Sequence, residues 1–254
     1  MHEFTTDELE VRVFDDETAM GRAAAADAAA RLRQAVAERG EARVVIATGN
    51  SQYAFIDALV DQEVPWRHVT VFHMDEYLGI DADHPASFQR WIRERIQNRV
   101  HPFQVEYISG LGDPQAEAAR YESLLRAAPL DLVCMGIGEN GHLAFNEPFD
   151  ADFSDDRWAR VITLTPESRS QQVGEGHFPT VDDVPAQAIS LTIPALTSAR
   201  WVQICAPESR KADAVRATLH EEISEAVPST FLRRVSGATL YLDAASASGL
   251  GSAA

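Results

Sequence analysis

Two adjacent acids, Asp75 and Glu76, follow the apolar run HVTVFHM and lead into YLG. One carboxyl of such a pair has its pKa raised by its neighbour's charge and by partial burial, which suits a base that takes a proton from carbon. The stretch GIGENGHLAFNEP (136–148) sets His142 between Glu139 and Glu147 within nine residues, framed by Gly136, Gly138 and Gly141. Small residues let a ligand approach the backbone, and neighbouring acids tune an imidazole and fix its tautomer, making His142 a candidate proton shuttle. Each segment also has a plainer reading, a solvated acidic turn for the first and a structural histidine for the second.

Other segments suit an anion. Thr48, Gly49, Asn50 and Ser51 link the run ARVVIAT to the helix-like YAFIDALV, offering amide N–H groups and hydroxyls at a helix start. The spacing fits neither a P-loop nor a dinucleotide fingerprint, and a simple helix cap is the alternative. Arg169 in TPESRSQQ and Lys211 in APESRKADAV are candidate phosphate ligands, one as a planar fork and the other as a point charge. No ligand spacing resembles a zinc site, and Cys134 and Cys205 sit in apolar runs as small hydrophobes, so no metal site is expected.

These residues follow strands. Runs at ARVVIAT, HVTVFHM, DLVCMGIG, ARVITLT, RWVQICA and ATLYLD alternate with helical patterns near 18–39, 87–100, 114–128 and 209–223. The alternation predicts a doubly wound, Rossmann-like α/β sandwich with a mainly parallel sheet, whose ligands lie beyond the strands' carboxyl ends. The 254 residues suit one domain over 1–254, with a polar flap at about 147–185 and a fraying tail, AASASGLGSAA. A formal charge of −17 argues against nucleic acid and anionic membranes as partners, and demands strong local cations at any phosphate site. The start of the chain lacks a secretory pattern and no apolar run approaches the ~20 residues of a membrane span, so a cytoplasmic protein is expected. A homo-oligomer is compatible with the sequence.

In this order the segments resemble the glucosamine-6-phosphate deaminase/isomerase family, which shares its fold with 6-phosphogluconolactonase. VTVFHMDEYLG, HPASF, DLVCMGIGENGHLAFNEP and the Lys211 helix carry the likeness. Met-Asp-Glu-Tyr and Gly-His-Leu-Ala-Phe-Asn-Glu stand where the lactonase branch has Gly-Asp-Glu-Arg and Gly-His-Thr-Ala. The resemblance implies Asp75 as the base between C2 and C1, His142 as the ring opener and Glu147 as its support. Thr48, Gly49, Ser51 and Lys211 would hold the 6-phosphate, with Asn50, Glu76, Gly141 and Arg169 alongside. Glucosamine 6-phosphate, or a close amino sugar phosphate, would become fructose 6-phosphate and ammonia, a net hydrolytic release, and the resemblance implies no metal or organic cofactor. Two departures stand out: Asn140 where well-known deaminases have aspartate, and Gly174 where they bring a second arginine. A 6-phosphogluconolactonase or other sugar-phosphate hydrolase, and a non-catalytic sugar-phosphate-binding protein, remain the alternatives.

Overall fold

The computed structural model describes residues 1–251 apart from 175 and 177. Eleven strands run in chain order: β1 His2–Thr6, β2 Leu9–Phe14, β3 Ala42–Ile46, β4 Val69–His73, β5 Asp75–Tyr77, β6 Gln104–Glu106, β7 Leu132–Met135, β8 Ala159–Thr163, β9 Gln187–Leu191, β10 Trp201–Ala206 and β11 Ala238–Asp243. The helices are α1 Glu17–Arg39, α2 Tyr53–Val60, α3 Phe88–Ile92, α4 Asn98–Val100, α5 Pro114–Arg126, α6 Pro166–Gly174, α7 Ile193–Leu196 and α8 Ala212–His220.

Eight strands form one sheet in the order β1-β2-β11-β10-β7-β3-β4-β6, parallel except for β1. Period-two alternation sorts its side chains into two layers: Val44 and Ile46 face one core with α1 and α2, Val45 the other with α5 and α8. Each fully buried aliphatic side chain contributes about 1.5–3 kcal/mol. The expected mainly parallel α/β sandwich is therefore the fold, and the buried cysteines belong to its α1 face.

Asp16 starts α1 by accepting from Ala19 N–H at 2.7 Å, and Gly40 ends it in the left-handed conformation. The alanine-rich face lets α1 approach α2 closely, most of all at Gly21, where a Cβ would stand 2.6 Å from the Ala54 carbonyl carbon.

The pattern-based reading did not include the β1–β2 hairpin, or the second sheet β5-β9-β8, whose pairs are antiparallel. ARVITLT does form a strand, β8, but in this small sheet. Tyr77, Phe88, Phe145, Phe178 and Val184 make a third apolar cluster beneath α6. The tail is not loose as far as it is described. Ser246–Leu250 forms a 3-10 turn with Ser246 buried and Gly249 packed near the Ala212 carbonyl. Residues 252–254 of that tail, and 175 and 177 of the flap, lie outside the described residues. No helix among the described residues is long and apolar enough to cross a membrane.

Replacing Gly21 with Ala forces backbone against backbone, so urea unfolding should show a loss of about 1–3 kcal/mol. An unchanged midpoint would mean that α1 and α2 yield without cost.

Candidate active site

The chain steps from β3 outward to β4 and β6, then crosses back to β7 on the other side of β3. The topological switch point thus falls between β3 and β7, where a parallel sheet leaves a crevice at its carboxyl end. A cavity of about 680 Å³, counted to its open mouth, lies there. Thr48, Gly49, Asn50 and Ser51 line it after β3, Asp75 after β4, Gly136, Ile137, Gly138 and His142 after β7, and Arg210 and Lys211 after β10.

Asp75 begins β5 one residue beyond β4 and is only 7% exposed. Burial, then the charge of Glu76, pushes its carboxyl up to about 8. Glu76 does not line the cavity, contrary to its nomination as a substrate contact. Its carboxylate turns to the start of α3, accepting from Ser87 Oγ at 2.8 Å, Gln89 N–H at 2.9 Å and Phe88 N–H at 3.2 Å, and from its neighbour Tyr77 N–H at 2.9 Å. Burial lifts Glu76 to about 7 against the pull of these donors. Its place is thus a buried helix cap beside the candidate base. His73, just upstream, is structural: burial pushes it down to about 3, and its Nε2 accepts from Ile108 N–H.

His142 lies flat against the backbone of Gly138, where a Cβ would come within 2.2 Å of the ring. The glycine therefore makes room for the imidazole. Asn140 stands between His142 and Glu147: its Nδ2 donates to Glu147 Oε2 at 2.8 Å and its Oδ1 lies 2.8 Å from His142 Nδ1. A carboxylate only accepts, so it fixes which end of the amide faces it, and the amide oxygen then requires a proton on Nδ1. The neutral ring consequently carries its lone pair on Nε2. Glu147 Oε1 is also 3.3 Å from Nδ1 and accepts from Ser168 Oγ. Burial pushes Glu147 up, but His142, Ser168 and Asn140 together hold it down at about 2. Asn140 thus sets the tautomer while Glu147 supplies the charge. Gly141 does not line the cavity; at φ +86° it closes the turn, its N–H bonding to the Gly138 carbonyl.

Lys211 is only 4% exposed and lines the same cavity with the Thr48–Ser51 loop, where Gly49 adopts φ +97°. Arg169 does not reach it. Its guanidinium donates to the Val181 and Val184 carbonyls, tying α6 to the turn at 181–184, while α6 offers Gln171 and Gln172 to the cavity. Gln172 accepts from Tyr77 Oη at 2.5 Å. Arg210 and these glutamines are lining residues that the motif reading passed over. The only signal for them was their adjacency to Lys211 and Arg169.

Asp75 keeps its proton to about 8 when folded, against 3.8 for an ordinary aspartate. Between those values the unfolded chain releases a proton that the folded one retains, so wild-type stability falls as pH rises from about 4 to about 8. Asp75→Asn should remove this slope, melting near wild type at about pH 4 and progressively above it toward pH 8. A melting difference that does not change with pH would show that Asp75 is not held protonated.

The sequence profile described as glucosamine-6-phosphate isomerases/6-phosphogluconolactonase matches residues 15–241. A glucosamine-6-phosphate deaminase from Exiguobacterium sp. is 36% identical over 205 residues, covering 80% of this chain and 78% of that one. One from Exiguobacterium sibiricum is 34% identical over 223 residues, 85% of each. Among solved structures, a monomeric glucosamine-6-phosphate deaminase aligns with a TM-score of 0.85 at 27% identity, covering 94% of this chain and 99% of that one. A 6-phosphogluconolactonase from Shewanella baltica shares the fold, with a TM-score of 0.76 at 21% identity over 94% of this chain and 99% of that one. With its own site residues drawn from loops inside the matched span, the chain belongs to the glucosamine-6-phosphate isomerase/6-phosphogluconolactonase family.

Proposed function

We propose that this protein converts glucosamine 6-phosphate, or a close amino sugar phosphate, to the ketose phosphate and ammonia, with Asp75 and His142 acting on successive steps. One observation carries the reading: a buried aspartate of raised pKa and an imidazole of fixed tautomer open onto one cavity that Lys211 and the Thr48–Ser51 loop also line. The deaminase relatives, at 34–36% identity over most of the chain, favour it over the lactonase alternative.

In this reading the phosphate is held by Lys211 and by the amides and hydroxyls of Thr48, Gly49, Asn50 and Ser51, which fixes the sugar's reacting end. His142 Nε2 takes the proton of the C1 hydroxyl and passes it to the ring oxygen as the bond from C1 to that oxygen breaks, giving the open-chain aldehyde. The imidazolium formed is balanced by Glu147, directly and through Asn140. Asp75 then removes the C2 proton; the electron pair forms a C1–C2 double bond as the C1 carbonyl π bond breaks onto O1, which takes a proton from the substrate's ammonium group, and Asp75 returns its proton to C1 as the nitrogen lone pair forms the C2–N double bond. The resulting C2 imine takes up water and expels ammonia. The stoichiometry is hydrolytic, but the bond changes at C1 and C2 are an aldose–ketose isomerisation, so a simple hydrolase label is set aside. Proton transfer alone suffices, and the substrate class fits a cytoplasmic metabolic enzyme.

The pH dependence follows from the base. Asp75 must be ionised to act and is held up to about 8, so kcat/KM should rise about tenfold per unit below that pH and level off above it. With a chelator present throughout, glucosamine 6-phosphate should yield ammonia and fructose 6-phosphate in equal amounts, and 6-phosphogluconolactone should yield no extra acid. A rate that stays flat from about pH 6 to 9 would remove Asp75 as the base, and acid release without ammonia would restore the lactonase reading.

A further inference from the structure

The loop after β3 ends in a side chain whose burial costs stability. Gln52 is fully buried at the close of the 3-10 turn Asn50–Gln52, and its backbone N–H bonds to the Gly49 carbonyl at 3.1 Å. Its carboxamide makes one hydrogen bond, from Nε2 to Ser51 Oγ at 3.1 Å, while Oε1 is buried with no donor among the described residues. An unpaired buried carbonyl carries a desolvation cost that an apolar side chain of the same volume avoids. The reverse orientation would bury the NH2 group without an acceptor, a rarer fault than an unpaired carbonyl.

The neighbouring strand makes room for that one bond. At Gly136, directly beyond β7, a Cβ would stand 3.1 Å from both Gln52 Nε2 and Ser51 Oγ, so the glycine leaves the pair undisturbed at the switch point between β3 and β7. Ser51 and Gly136 line the reaction cavity, and Gln52 lies behind them. A hydroxyl has one proton to give, and a donor aimed at its oxygen settles where that proton can go. With Nε2 donating to Oγ, the Ser51 proton is turned away from the amide, and no acceptor among the described residues takes it. The result is a committed donor awaiting an acceptor at the cavity wall. An ionised phosphate oxygen, which only accepts, meets that requirement.

We propose that Gln52 is a positioning residue for phosphate recognition: its amide donates to Ser51 Oγ and so commits the Ser51 hydroxyl to donate to a phosphate oxygen of the substrate. The inference rests on the sugar-phosphate reading of this cavity. In a chain of net charge −17, an anion seat gains from each donor that is prevented from turning a lone pair toward the ligand.

Inorganic phosphate is the direct probe, titrated calorimetrically at about pH 8, where it is mainly dianionic, into wild type, Gln52→Met, Ser51→Ala and the double variant. Methionine keeps close to the volume of glutamine and removes the donor. Ser51→Ala should weaken phosphate binding about ten- to a hundredfold and Gln52→Met about three- to tenfold. The double variant should match Ser51→Ala within about twofold, because Gln52 acts through Ser51. The KM for glucosamine 6-phosphate should rise in step with these losses while kcat stays within about threefold. Gln52→Met should also melt at or above wild type, since the orphaned carbonyl is gone, whereas a merely structural glutamine would lower melting temperature and phosphate affinity together. Should Gln52→Met fail to fold, Gln52→Leu takes its place, and failure of both overturns the proposal. Phosphate binding that is unchanged or tighter in Gln52→Met, losses that add in the double variant, or a wild type that binds no phosphate also overturns it. If the phosphate losses appear as expected but wild type releases no ammonia from glucosamine 6-phosphate, the positioning role stands and the deaminase reading fails.

Discussion

The proposed role of Asp75 as a carbon base requires a raised pKa, and much of the structure around it keeps its carboxyl out of water beside Glu76. Glu76 provides the charge, and it stays buried because α3 opens against it with two backbone N–H groups and the hydroxyl of Ser87. β5 is held in place by pairing with β9 in the small sheet, and the aromatic cluster of Tyr77, Phe88 and Phe145 walls the pair from solvent. The cost of burying two acids is offset by hydrogen bonds at Glu76 and by leaving Asp75 protonated until pH rises toward about 8.

His142 is governed by the opposite arrangement. Glu147 is strongly ionised and Asn140 is an amide, so together they orient the ring without placing two like charges side by side. An aspartate at 140 would face Glu147 across the same 2.8 Å and one of the two would have to bind a proton. The amide avoids that conflict and still fixes the ring, since its orientation follows from the acceptor-only carboxylate. The departure from the familiar family pattern at Asn140 is thus compatible with a working relay in which Glu147 contributes the charge.

The chain's own text revealed the strand ends well, because β-branched runs such as ARVVI and DLVC are buried on both faces and read without ambiguity. The loops after β3, β4, β7 and β10 followed, and with them Thr48, Asp75, His142 and Lys211. What escaped was decided in three dimensions. β5 has three residues and β9 joins it from more than a hundred positions away, so no local period announces the second sheet. Glu76 looked like half of an exposed pair, but its donors come from 87–89, and Arg169 looked like a phosphate ligand until the carbonyls of Val181 and Val184 proved to lie within its reach. Arg210 carried no motif at all; its place at the cavity wall follows a Glu208 of positive φ that a strand-end aspartate pins.

The division of labour between the two loops is the central claim, and exchange of the C2 hydrogen with solvent deuterium tests it most directly. Glucosamine 6-phosphate supplied as its mixture of cyclic and open forms is followed by NMR with wild type, Asp75→Asn and His142→Gln. Asp75→Asn should suppress exchange by at least ~10²-fold while still binding substrate, since it lacks the carbon base. His142→Gln should slow exchange only to the rate of spontaneous ring opening. Exchange that survives in Asp75→Asn and vanishes in His142→Gln would contradict the account and make His142 the carbon base.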